Sequence, residues 1–173
     1  MSEGFSLCRP QGCWARLAIA EHRKESVLFE DGTVLRSASL SRLLRHSTAA
    51  AIMAATVGPD IVAATEDAVS RGDGAAAVTY DAVGAQTAEA TMSWINDFIR
   101  QQLRRRGEHL TKHRFSPGYG DFELHAQQTI YGWLRLEQLG LRLTPSRMLI
   151  PEKSVTALAG IERTSSMEET HDA

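Results

Sequence analysis

The sequence predicts a single α+β domain, with long helices packed on a small, mostly antiparallel sheet. Three observations lead there. Residues 73–106 carry apolar side chains at three- and four-residue steps, the period of an amphipathic helix. The stretch SVLFEDGTVLRS alternates apolar and polar residues around Asp31-Gly32, the pattern of a hairpin. Short apolar runs at 49–58, Met148–Ile150 and Ser154–Ile161 lie beside Gly or Pro, as strand ends do.

Taken in order, residues 1–25 show no regular period and give the weakest signal. After the hairpin, SASLSRLLRHS offers serine N-caps and places Leu40, Leu43 and Leu44 on one helical face. Residues 1–48 are thus expected as a hairpin and short helix within the same domain as the 49–162 core. The run AAAIMAATVG reads as a buried strand, although its alanines also permit a helix.

Pro59 suits a helix's first turn and Asp60 its positive end, with Ile61, Ala64, Ala68 and Val69 on one stripe and Gly72 as the stop. In the long helix the stripe is Ala85, Ala88, Met92, Ile95, Ile99 and Leu103, with Gly84 tolerated. Asp121 is expected to cap a further helix running to Leu139, with Leu124, Ile130, Trp133 and Leu134 on its buried side and Gly140 at its end. Met148–Ile150 and Ser154–Ile161 then read as two strands joined by a turn at Pro151-Glu152-Lys153. Residues 163–173 are polar and expected to fray.

Composition excludes several classes of function. A net charge of −2 over 173 residues gives no bulk drive toward nucleic acid. Arg104-Arg105-Arg106 ends the long helix, where cations complement the negative pole. Cys8 and Cys13 have no second cysteine pair at metal-finger spacing and read as incidental thiols of a reduced, cytoplasmic protein. No apolar run approaches the length of a membrane span, and no signal peptide is legible. Dinucleotide, Walker-type, zinc-protease and nucleophile-elbow motifs are missing, and His109, His113 and His125 read as surface residues.

What stands out is Arg114-Phe115-Ser116-Pro117-Gly118-Tyr119. Arginine offers a planar fork of donors for a carboxylate, Gly118 lets backbone approach a ligand, and Tyr119 gives a ring face with a polar tip. By residue type alone the segment is either a plain turn or a binding loop.

Its setting adds a resemblance. With ATVGP at 55–59, YDAVGAQTAEA at 80–90 and LTPSRMLIPEKSVTALAGI at 143–161, the R-x-[AS]-P-G-Y segment resembles the S-adenosylmethionine-binding activation domain of cobalamin-dependent methionine synthase. The similarity is greatest to the short, free-standing relatives of that domain and covers about residues 49–162. It implies that Arg114 holds the methionine carboxylate of the ligand. Ser116 and Gly118 would lie along the ligand with their backbone, and Tyr119 would face both ligand and corrin. By position it also assigns Glu89 and Glu108 to the site.

That sign is sensible, because S-adenosylmethionine carries a sulfonium and an ammonium whose desolvation nearby carboxylates offset. A solvated helix position accounts for Glu89 equally well, and Asp81 reads as a brace of the long helix. The acidic contact that the family places near the start of its domain has no counterpart here.

The resemblance implies a component of methionine biosynthesis that is not active alone. It would bind S-adenosylmethionine and support reductive re-methylation of cobalamin carried by a separate methionine synthase or other corrinoid protein, with a flavodoxin-type electron donor. The alternative is a non-catalytic S-adenosylmethionine sensor or scaffold for a corrinoid methyltransferase. Neither nucleic acid, membrane nor metal is expected as a partner.

Overall fold

The computed structural model describes residues 2–164. A short helix α1 (Ser2–Ser6) leads into a long strand β1 (Gln11–Arg23), where sequence periodicity gave least. The hairpin follows as β2 (Ser26–Phe29) and β3 (Val34–Arg36), in register from Ser26 opposite Arg36 to Leu28 opposite Val34. Helix α2 (Ala38–Leu44) begins at Ser37, whose hydroxyl accepts from the Leu40 amide at 2.9 Å.

Strand β4 (Ala49–Thr56) is buried at every position, which settles the alanine-rich run as a strand. Helix α3 (Asp60–Ser70) and the long helix α4 (Gly74–Arg104) come next, the latter capped by Asp73, which accepts from the Ala76 amide at 3.0 Å. The remaining elements are β5 (Glu108–Leu110), α5 (Ala126–Leu134), a single 3-10 turn (Leu136–Leu139), β6 (Arg142–Leu143), β7 (Leu149–Ile150) and β8 (Ser154–Arg163).

Six strands form one antiparallel sheet in the order β3-β2-β1-β4-β8-β5. Because strand side chains alternate, β4 serves two cores. Ala49, Ala51, Met53 and Ala55 face α4 with Met92, Ile95, Ile99 and Leu103. Ala50, Ile52 and Ala54 face α2 and α5 with Leu40, Leu44, Ile130 and Leu134. Each large side chain buried this way contributes about 1.5–3 kcal/mol. The alanines keep the layer thin and let the helix lie close.

The expected α+β architecture is therefore present, with four local corrections. Met148–Ile150 and Ser154–Ile161 do not pair: β7 joins β6 in a separate two-stranded ribbon, while β8 enters the main sheet between β4 and β5. Val69 is exposed, so the α3 stripe rests on Ile61 and Ala68. In α4 the stripe runs through Val83 and Gly84 in place of the exposed Ala85.

The fourth concerns Asp121, which does not cap the helix that follows it. Its carboxylate accepts from the Ser37 hydroxyl at 2.9 Å and the Ser39 amide at 3.1 Å, tying its loop to the start of α2. The Ser39 amide bond is the main cause of a carboxyl pKa lowered to about 2. Asp81 does brace α4, accepting from Lys153 Nζ at 2.6 Å. The polar tail beyond Thr164 lies outside the described residues.

Candidate functional site

The segment 114–122 is built by two short-range devices. Phe115 makes an isolated bridge to Leu158 of β8, its amide and carbonyl both bonded at 2.8 Å. Phe115 then stacks on Phe122, with ring centroids 5.8 Å apart and an interplanar angle of 14°. Between these rings the chain closes on itself: the Gly118 amide donates to the Phe122 carbonyl at 2.7 Å, and the Phe122 amide to that of Tyr119 at 3.0 Å. Gly118 adopts φ +90°, which L residues rarely take, so glycine is required here by the loop itself. Pro117 is buried beneath it, whereas Tyr119 projects outward and is 68% exposed.

Arg114 points the other way from Phe115, toward α4, and its guanidinium pairs with the carboxylate of Glu89. The Arg114 side chain is 27% exposed and that of Glu89 60%, so the pair sits open to solvent on the helix shoulder. The structure thus brings Arg114, Ser116, Gly118 and Tyr119 into one loop and Glu89 against its first residue. This is a cation and an anion side by side, with an exposed aromatic ring on the same loop.

Glu108 is placed elsewhere. It lies on β5 opposite Arg163, whereas Phe115 lies opposite Leu158, a separation along β8 of about 16 Å at strand rise. Its side chain is nearly buried and accepts a two-pronged bond from Arg16 of β1, both contacts at 2.7 Å. Those bonds hold its pKa below the ordinary carboxylate value despite opposing desolvation, aided by the charges of Arg16, Arg106 and Arg163. Arg16 had no signal in the sequence, since the two residues are 92 positions apart. Among the described residues no group of three or more His, Cys, Asp or Glu could hold a metal ion, and no helix is long and apolar enough to cross a membrane. Burial raises the Cys13 thiol pKa.

No family profile and no curated protein matches the sequence. Among solved structures, the MetH reactivation domain bound to AdoHcy superposes with a TM-score of 0.68 at 18% identity, over 94% of this chain. The fold is that of a MetH reactivation domain. The present chain spans 61% of that domain's length.

Proposed function

We propose that the protein binds S-adenosylmethionine at the Arg114–Tyr119 loop and supports reductive reactivation of cobalamin on a separate corrinoid protein in the cytoplasm. The observation that carries the reading is the Arg114–Glu89 pair. A half-exposed ion pair is worth about 0–1 kcal/mol, so separating it costs little. An amino-acid headgroup supplies both replacement charges: its carboxylate can take the arginine fork, and its cationic groups can take Glu89. The pair therefore keeps each side chain neutralised and oriented until a zwitterion takes its place. The fold shared with a domain that binds AdoHcy supports the same ligand class.

Ser116 and Gly118 offer main chain next to this pair, and the exposed ring of Tyr119 suits a flat apolar face such as a corrin. S-adenosylmethionine would supply a methyl group to cobalt that an electron donor, of flavodoxin type, has reduced. The chain's own part is orientation and charge complementarity. Glu108 contributes through Arg16 and the sheet, not by ligand contact.

Isothermal titration with S-adenosylmethionine tests the reading. Binding is expected, with Arg114→Ala weakening it at least about tenfold, or 1.4 kcal/mol. No binding at millimolar ligand, or unchanged affinity in that variant, overturns it. The commitment of Glu108 to Arg16 favours a second reading, a sensor or scaffold for a corrinoid methyltransferase. Ligand binding without methyl transfer in a reconstituted system would select it.

A further inference from the structure

Strand β1 pairs with β4 through its first half and with β2 only in its second. Ladder partners on β4 run from Gln11 to Ala18, whereas those on β2 begin at Ile19. Among the described residues, the edge of 11–17 that faces away from β4 therefore carries no strand. The direction of each backbone group on it follows from two bonds. The Ile19 amide donates to Thr48 on the β4 side at 3.0 Å, and the Ala18 carbonyl accepts from Glu30 on the opposite side at 3.1 Å. Antiparallel ladders alternate, so odd residues bond β4 and the amides and carbonyls of Gly12, Trp14 and Arg16 point outward.

The α4 shoulder above this edge is aromatic. Trp94 and Phe98 stack with centroids 5.7 Å apart and are 67% and 39% exposed. Trp94 lines a cavity of about 410 Å³ with Gly12, and Phe98 lines one of about 310 Å³ with Trp14 and Arg16. Open strand edge and exposed rings thus form one continuous surface.

We propose that this edge pairs with the same edge of a second copy, in antiparallel register about a twofold axis at Trp14. Antiparallel pairing is self-complementary: Trp14 faces Trp14, and Gly12 of each copy faces Arg16 of the other. All three outward pairs of backbone groups on each copy are then satisfied. The two Trp14 rings meet on the α4 face as a cross-strand aromatic pair, beside Trp94 and Phe98. Arginine meets glycine and not arginine, and Arg16 keeps its bond to Glu108, so like charges are not brought together.

The exposed parts of the three rings and the strand edge amount to roughly 450 Å² a side, little more than half of the roughly 800 Å² of standard specific interfaces. A weak, reversible dimer with a high-micromolar Kd is the outcome that area fits. The open side of β1 faces away from β4, β8 and β5, where Phe115 bridges, so the dimer neither needs nor covers the Arg114 loop.

Sedimentation velocity of the full chain from low to high micromolar concentration tests this. A concentration-dependent dimer is expected, and Trp14→Pro should raise its Kd roughly tenfold or more. That change removes the outward amide and the Trp14 ring together, while the amides that bond β4 stay in place. Trp94→Glu, on an exposed helix position, should do the same with circular dichroism unchanged, and it decides the matter if Trp14→Pro misfolds. Amide exchange at Gly12, Trp14 and Arg16 should slow as concentration rises. A monomer at every concentration, or a dimer indifferent to Trp94→Glu, overturns the proposal.

Discussion

Changing Glu108 to Gln would leave the Arg16 guanidinium, whose side chain is 33% exposed, beside a nearly buried neutral amide. Because both of its short bonds go to that carboxylate, the expected loss is about 1–3 kcal/mol by chemical denaturation. Arg16→Met with Glu108→Met should recover part of it, since removing both charges strands neither. Acid should act through the same groups. Glu108 and Asp121 both have folded pKa values below their ordinary 4.5 and 3.8, Asp121 at about 2. A depressed carboxylate contributes stability above its unfolded pKa and loses it as pH falls through the folded value. The melting temperature should therefore hold down to about pH 5 and decline below about pH 4, with Asp121→Asn flattening the lowest part. Arg114, its loop partners and Glu89 could be named from sequence because the R-x-[AS]-P-G-Y segment and the YDAVGAQTAEA block carry the resemblance. The destinations of Glu108 and Asp121 could not. An acid before a helix looks the same in sequence whether it caps that helix or reaches Ser37, 84 positions back.

Elements with strong periods were legible, and those whose form depends on neighbours were not. Helix α4 declares itself by its stripe and the hairpin by Asp31-Gly32, but β1 has small and polar residues and a single β-branched side chain, Ile19. Its strand character comes from β4 and from the close cover of α4. Gly12 records that cover: an added Cβ would meet the Ile95 side chain and lie 2.7 Å from the Ala54 carbonyl oxygen. Gly12→Ala should cost about 1–3 kcal/mol, read as a fall in melting temperature. Gly160→Ala should be at least as damaging, because its Cβ would enter the Ser47 side chain and stand 2.8 Å from Thr111. Gly84 differs. Its nearest obstacle is the flexible stem of Lys153 at 3.1 Å, so Gly84→Ala should be close to neutral, helix propensity offsetting the crowding. The β7–β8 hairpin failed for a related reason. Ser154–Arg163 finds its ladder on β4 and β5, leaving Leu149–Ile150 to the short ribbon with β6.

Across the whole molecule, β4 is the strand that everything else covers, flanked by β1 and β8 and buried on both faces. Native-state hydrogen exchange should accordingly find its amides among the slowest, opening only with global unfolding. S-adenosylmethionine, if held as proposed, should raise the melting temperature in proportion to the logarithm of its concentration, and Arg114→Ala should abolish the rise. The β4–β8 ladder joins residues about a hundred positions apart, with α3, α4 and α5 lying between. On the ribosome, Ala49–Thr56 and the apolar side of α4 emerge long before Ser154–Arg163 can close over them. While residues 105–153 are being made, the nascent chain therefore carries a finished helix and an unfinished sheet, a natural client for holding chaperones until β8 emerges.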